Sequence, residues 1–510
     1  MDCARSARRP PAVLRSIAVA IAVLPVGLGA AYAEQVPRDT LTWGFCQVGG
    51  THQGAEWPLS REHLLVLRDE LHINTLRFFV HPGFIGLPQK TWNGPEAIDY
   101  TRFDEASYRW RDPSPVIDSL DEVLDLLSEL KIHPVLLVFP VDEYVAYIGR
   151  DDLSFLSDSA KGLDYTGIRP VDQVKALTTV LARHVHQAYG DDFTLIYTEI
   201  AGQGEGAPRR SQDKARWAEV VAAAKAEAPG ATVCSPELCV GMWWWAAAVQ
   251  AGGARRQGPP WLPEAIPYTD TWPRGDRLEN YRDVFDAMAV SYYGFSADSV
   301  EWKDVAANRP ALAAATEATL WVARPYARPK RWLWAEAGWG APLKDKPAFH
   351  LERDLAALLL GMDHCAGALL WQARDNEGST GGVFGPTGER AKSFELLKAV
   401  SDVVLANAAF FADDHQGLNA DGFPVAEDLF GETDPAVLTR FLGRHLVVFS
   451  EAATETSVTF SNTLGRELRE LPVGHGYSGP WPLRITPAAG RTVTVGRIRP
   501  GLIYLLELTP

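Results

Sequence analysis

Two glutamates in the 510-residue chain each end an apolar run: Leu195-Ile196-Tyr197-Thr198-Glu199 and Trp332-Leu333-Trp334-Ala335-Glu336. A carboxylate at the end of a buried strand loses hydration and must be paired or put to use, so two of them on different strands mark a site. Two carboxylates facing one another across a pocket can break a glycosidic bond. One protonates the leaving oxygen and later deprotonates water, while the other attacks the anomeric carbon or activates that water. A gap of about 5 Å between them gives retention through a covalent intermediate, and a wider gap gives inversion. Glu205, in Gly202-Gln203-Gly204-Glu205-Gly206, and Glu237 compete with Glu199 as the acid; Glu199 is preferred because it directly terminates its run.

Such a pair needs a frame that gathers strand ends. Apolar strand-like runs fall at Leu41–Cys46, Asn74–Val80, Pro134–Phe139, Thr194–Glu199, Thr232–Ser235, Ala287–Tyr293, Arg331–Glu336 and Ala366–Gln372. Between them lie Arg61–Leu71, Val116–Leu130, Val171–Ala188, Lys214–Ala228, Ala311–Val322 and His350–Met362, with apolar residues at the three- and four-residue spacing of amphipathic helices. Strands of near-continuous hydrophobicity alternating with helices predict an α/β protein with a parallel sheet. Eight of them favour a closed (β/α)8 TIM barrel over a doubly wound sheet, and Val48-Gly49-Gly50-Thr51 lacks the spacing of a phosphate-binding glycine loop. In such a barrel the fourth and seventh strands face one another, and catalytic groups sit at the carboxyl ends of the strands.

After Asn407 the helical pattern stops. Short runs at Leu438–Leu442, Leu446–Phe449, Ser457–Phe460, Leu483–Thr486, Thr492–Val495 and Ile503–Leu508, punctuated by Gly and Pro, predict a C-terminal antiparallel β-sandwich. Trp481 is the only Trp after Trp371, so the sandwich is expected to brace the barrel rather than bind glycan. At the other end, Arg5, Arg8, Arg9 and Arg15 precede an apolar run, and Ala31-Tyr32-Ala33 is a small-x-small cleavage site, which reads as a secretory signal. The expected division is therefore a signal over 1–33, a catalytic barrel over 34–406 and a sandwich over 407–510. The mature chain is expected to be secreted or periplasmic, with no membrane span, because no other run approaches the roughly 20 apolar residues that crossing requires. Cys46, Cys234, Cys239 and Cys365 are expected as buried thiols or with one local Cys234–Cys239 bridge; no His pair stands by to complete a zinc site.

Over residues 40–406 the chain resembles the clan A glycoside hydrolases, retaining barrel enzymes of the cellulase, mannanase and glucosidase types. Trp334-Ala335-Glu336-Ala337-Gly338-Trp339 is similar to the group's strand-seven motif, which implies Glu336 as nucleophile, and Glu199 stands where the group keeps its acid/base. Tyr293 resembles a strand-six Tyr that hydrogen-bonds the nucleophile, with Tyr292 as the alternative. Trp371 resembles the strand-eight Trp that floors the sugar subsite beside the cleaved bond. Arg77, in Asn74-Thr75-Leu76-Arg77-Phe78-Phe79, resembles the strand-two Arg that keeps the nucleophile ionised. His81 and Trp339 are further candidates for substrate contact. Many of these families carry Asn before the acid/base, against the sugar 2-hydroxyl, where this chain has Thr198. The resemblance implies retaining hydrolysis of a carbohydrate, expected to be neutral and β-linked, with no metal and no cofactor. The alternative that Thr198 suggests is a non-catalytic carbohydrate-binding or exopolysaccharide-assembly protein on a degenerate barrel.

Composition bears on the partner. The 64 Asp and Glu against 49 Lys and Arg give a net charge of -15, so the chain has no basic footprint for nucleic acid and favours neutral glycans over anionic ones. The 17 Trp are the compositional excess. Trp57, Trp92, Trp110, Trp243 to Trp245, Trp261, Trp272, Trp302, Trp339 and Trp371 fall in or beside segments that follow strands, where stacking against sugar rings is expected. Glu237 to Asn280, which carries the Trp243-Trp244-Trp245 run, is expected to wall or cover the cleft.

Overall fold

Strands that are apolar on both faces need cover on both, and a parallel sheet wrapped by its crossover helices supplies it. The computed structural model describes residues 41–47, 57–80, 82–85, 105–111, 119–138, 170–197, 214–236, 238–239, 283–293, 332–338, 347–361, 365–375, 382–408, 411, 436–442, 445–461, 467–473, 481–488 and 492–508. Its first part runs β1 (Thr42–Gln47), α1 (Arg61–Glu70), β2 (Thr75–Val80), α2 (Leu120–Leu130), β3 (His133–Val138), α3 (Pro170–Tyr189), β4 (Thr194–Tyr197) and α4 (Lys214–Glu227). It continues with β5 (Thr232–Pro236), β6 (Leu238–Cys239), β7 (Met288–Tyr293), β8 (Trp332–Gly338), α5 (Pro347–Gly361), β9 (Cys365–Trp371) and α6 (Phe394–Ala406).

These strands pair in parallel in the order β5-β4-β3-β2-β1-β9-β8-β7-β6. The sheet curls, for Cys234 of β5 forms a parallel bridge to Ala287, the residue before β7. Ser235 N donates to the Ala287 carbonyl at 3.0 Å, and Asp286 N to the Val233 carbonyl at 2.9 Å. Alternation along the strands separates two faces. Cys46, Val135, Leu137, Ile196, Cys234, Ala289, Leu333, Ala335 and Leu369 form one cluster, edged by Phe79, Ala287, Ala366 and Trp371. Phe45, Leu76, Phe78, Leu136, Leu195 and Leu370 instead join Leu67, Leu127, Leu181 and Leu355 of the helices.

Local chemistry places the helices. Ser60 opens α1, its hydroxyl accepting from His63 N at 3.3 Å while its own N–H donates to His63 Nδ1 at 3.1 Å, a reciprocal cap with His in the usual Glu place. Helix α2 stops at Lys131, which takes the left-handed conformation at φ 56°. Helix α6 was not among the expected helices. Its buried Phe394, Leu396, Leu397, Val400, Val403 and Val404 cover most of its circumference, which mutes the helical period. The run Ala311–Val322 and residues 1–33, expected as a signal, lie outside the described residues. Among the described residues, no helix is long and apolar enough to cross a membrane. Cys46, Cys234 and Cys365 are buried.

The C-terminal part holds β10 (Val437–Leu442), β11 (His445–Ser450), β12 (Thr456–Ser461), β13 (Leu468–Glu470), β14 (Arg484–Ala488), β15 (Thr492–Ile498) and β16 (Ile503–Leu508). They form two antiparallel sheets, β10-β11-β16-β13 and β12-β15-β14. Leu446, Val448, Tyr504 and Leu506 of the first share a cluster with Val458 and Val495 of the second. The opposite residues of the same strands, Val447, Phe449, Ile503 and Leu505, join the main core, where β11 and β16 pack against α5. Arg440 Nη1 donates to the Leu359 carbonyl at 3.1 Å, and the Glu352 carboxylate accepts from Ile503 N.

Helix α5 therefore carries three consecutive buried charged residues, Glu352, Arg353 and Asp354. Burial pushes the Asp354 carboxyl up from its ordinary 3.8 to about 7, against the opposing pull of Arg353. Between those values the folded chain holds a proton that the unfolded chain has lost, so this group's contribution to stability falls as pH rises from 3.8 to about 7 and is flat outside that window. Asp354→Asn is expected to abolish that slope, raising stability at pH 7.5 by roughly 2 to 4 kcal/mol. Thermal unfolding from pH 4 to pH 8 checks it, and parallel pH profiles for the two proteins would contradict it.

Candidate active site

A guanidinium inside an apolar sheet must be met by acceptors, and Arg77 shows which ones this fold offers. Arg77 lies on β2, in register with Cys46 of β1 and Val135 of β3, and has no exposed surface. Its Nη1 donates to the Ala335 carbonyl at 3.1 Å and to Cys46 Sγ at 3.1 Å. Its Cζ lies 5.4 Å from the centre of the Phe79 ring. A permanent positive charge is thus fixed on the Ala335 carbonyl, one residue before Glu336.

Glu336 stands opposite Ser291 of β7, immediately after a register shift between Val290 and Ser291; β8 shifts again relative to β9 between Trp334 and Ala337. The two faces record this slip: Leu333 and Ala335 belong to the inner cluster, whereas Ala337 belongs to the helix-covered one. Strict alternation would have kept Ala337 with Ala335. The irregularity therefore falls across Ala335 and Glu336, where one strand carries an extra residue relative to its neighbour. Tyr293 ends β7 opposite Gly338.

Trp371 ends β9 opposite Cys46, half-buried, with Phe79 edge-on to its ring at 6.1 Å and 79°. Its peptide bond to Gln372 is cis. The next residues fasten this end to β1: Ala373 N donates to the Cys46 carbonyl at 2.9 Å, and Arg374 N to Gln47 Oε1 at 2.9 Å. The Arg374 guanidinium in turn donates to the Pro58 and Pro386 carbonyls. Phe79, Cys46 and Trp371 are therefore neighbours toward the carboxyl ends of β2, β1 and β9, with Arg77 beside Cys46 and Phe79 in mid-strand.

Cys46, Gln47 and Arg374 were not expected at the site. Gln47 carried a usable signal, a polar residue directly after an apolar strand, whereas a Cys within such a strand looks like ordinary core. Glu199, Thr198, His81 and Trp339, and the competing acids Glu205 and Glu237, lie outside the described residues. Strand β4 is described to Tyr197, which turns away from the inner face. Thr178 Oγ1 donates to its hydroxyl at 3.3 Å, its ring meets Trp217 at 5.1 Å, and burial pushes its hydroxyl well above the ordinary value. Among the described residues, no three His, Cys, Asp or Glu gather to hold a metal ion.

The tryptophans divide differently from expectation. Trp57 is 6% exposed and packs edge-on against Phe78 at 5.6 Å, and Trp110 is stacked between Tyr108 and His184 at 5.2 and 3.8 Å. Trp57 is thus enclosed in the core, whereas Trp110 is half-buried. Trp371 keeps a strand-end place with part of its ring uncovered. Trp92, Trp243 to Trp245, Trp261, Trp272 and Trp302, like the segment Glu237 to Asn280 apart from Leu238–Cys239, lie outside the described residues.

No protein-family model matches the sequence, and no curated protein matches it. Among solved structures, the chain is similar to a family 39 glycoside hydrolase from the gut symbiont Bacteroides cellulosilyticus WH2, at 12% identity over 92% of this chain and 82% of that one, with a TM-score of 0.46. It is similar to the GH39 enzyme from Xanthomonas axonopodis pv. citri at 12% identity over 93% and 94% of the two chains, with a TM-score of 0.45. Endo-glycoceramidase II from Rhodococcus sp. is 11% identical over 92% of this chain and 97% of its own, with a TM-score of 0.42. These solved neighbours are clan A glycoside hydrolases.

Proposed function

We propose that the chain is an exported retaining glycoside hydrolase built on a closed (β/α)8 barrel with a C-terminal β-sandwich. Glu336 is its nucleophile, Glu199 its acid/base, and a neutral β-linked oligo- or polysaccharide its substrate. The observation that carries this reading is the Arg77 guanidinium, wholly buried and bonded to the carbonyl of Ala335, one residue before a glutamate that follows a strand irregularity. A protein that spends a buried charge there gains most if a carboxylate beside it must stay ionised.

In this reading the sugar rests against Trp371. The Glu336 carboxylate attacks the anomeric carbon while the Glu199 carboxylic acid protonates the departing glycosidic oxygen, leaving a glycosyl ester. Glu199, now a carboxylate, takes a proton from water as that water attacks the same carbon. The C–O ester bond breaks, releasing the sugar with retained configuration and returning Glu336 to its ionised state. Tyr293 donates to Glu336, and Thr198, Trp339 and His81 contact the sugar.

Arg77→Met, which keeps the volume and removes the charge, is expected to lower kcat by about 10²- to 10³-fold, as loss of one preorganised charge-stabilising donor does. It is also expected to move the acid limb of the kcat/KM profile upward, because Glu336 would protonate more readily. A Met variant with the wild-type acid limb would contradict that role. The test of the function itself is turnover of a panel of β-linked polysaccharides and aryl glycosides, with products identified by mass. Cleavage with retention is the expected result. Binding of a glycan without cleavage would instead support the non-catalytic reading that Thr198 suggests.

A further inference from the structure

We propose that Cys46 is a positioning residue of this site: its thiol holds the Arg77 guanidinium against the backbone of β8. The proposal rests on the reading of Glu336 as the group that Arg77 serves. Cys46 has no exposed surface and lies where three strands meet. Its Sγ accepts from Arg77 Nη1 of β2 at 3.1 Å, and lies 3.5 Å from the Ala335 carbonyl of β8 and 3.9 Å from the Leu369 carbonyl of β9.

The polarity of a thiol suits this place. Sulfur lone pairs accept weakly from the cationic N–H, while the S–H donates weakly toward either carbonyl. Arg77 Nη1, Cys46 Sγ and the Ala335 oxygen thus close a triangle of two bonds at 3.1 Å and one contact at 3.5 Å. An apolar side chain of the same bulk would fill the space yet take the Sγ acceptor away from Nη1, loosening the hold on the guanidinium beside Ala335. Because Cys46 also pairs with Trp371 across β1 and β9, the same thiol sits beneath the strand end that carries the Trp.

The test separates polarity from packing. Cys46→Val retains bulk and removes the acceptor; Cys46→Ser retains the acceptor and loses bulk. Isotope-edited infrared titration of 13C-glutamate-labelled protein, with Glu336→Gln as the reference, reads the Glu336 carboxyl directly and needs no turnover. Glu336 is expected to titrate about one pH unit higher in Cys46→Val than in wild type and to return most of the way in Cys46→Ser, even though Cys46→Ser is the less stable of the two. With turnover, kcat of Cys46→Val is expected to fall about tenfold with KM within twofold. An unchanged Glu336 titration in Cys46→Val, or a shift that follows the loss of stability rather than the loss of the acceptor, would overturn the proposal. Since the titration is independent of catalysis, that failure is distinct from a failure of the hydrolase reading, which the Glu336→Gln rate decides.

Discussion

Glu336→Gln is expected to lower kcat by at least about 10⁴-fold while leaving the fold intact, since removal of a covalent nucleophile leaves only binding and residual stabilisation of the transition state. The amide fits the space of the carboxylate, so the strand irregularity at 336 and the Arg77 bond to the Ala335 carbonyl have no reason to change. The companion Glu336→Ala opens a gap on the nucleophile's side of the sugar. Azide entering that gap attacks the anomeric carbon directly, displaces an activated aryl leaving group from a β-glycoside and gives the α-glycosyl azide. Inverted configuration in the rescued product is the expected signature. Wild-type rates in Glu336→Gln, with unfolding unchanged, would remove Glu336 from the chemistry.

Glu199→Ala has the second largest expected effect, and its size depends on the leaving group. With an alcohol leaving group the departing oxygen needs a proton, so a loss on the order of 10²- to 10⁴-fold is expected. With dinitrophenolate, which departs without a proton, formation of the glycosyl ester is nearly unimpaired and hydrolysis of the ester becomes slow. A burst of one dinitrophenolate per enzyme is therefore expected. Azide should relieve the block and yield the β-glycosyl azide, opposite in configuration to the product of Glu336→Ala. Losses equal for good and poor leaving groups would exclude Glu199 as the acid, and a leaving-group-dependent loss in Glu205→Ala or Glu237→Ala would name its replacement.

Much of the frame was legible because parallel strands covered on both faces write near-continuous apolar runs, and helices between them write a 3.6-residue period. The bounds of β2, β3, β7 and β9 fall within a residue or so of expectation for that reason. Arg77 was legible as a charge inside an apolar strand, and Trp371 as a large aromatic at a strand end. The partners of Arg77 were not, since Ala335 is 258 residues away in sequence and Cys46 is 31 residues away on another strand. The register slip at 336 was hidden too, because Ala335 and Ala337 are the same residue type and only the sheet pairing assigns them to different faces. Position after a strand does not reveal that Trp57 meets Phe78 or that Trp110 stacks with Tyr108 and His184. Strand β13, three residues long, wrote too little pattern to be found.

The central claim is that Glu336 forms a covalent bond to the sugar. A 2-deoxy-2-fluoro-β-glycoside with a dinitrophenolate leaving group slows both steps and lets the ester accumulate, so incubation with a set of such gluco-, manno-, galacto- and xylosides, followed by peptide mass mapping, reads the nucleophile directly. The expected result is one added fluorosugar on Glu336, in the peptide containing Trp334-Ala335-Glu336-Ala337-Gly338. A label on any other carboxylate, or turnover of the parent glycosides with inverted products and no label, would contradict the account.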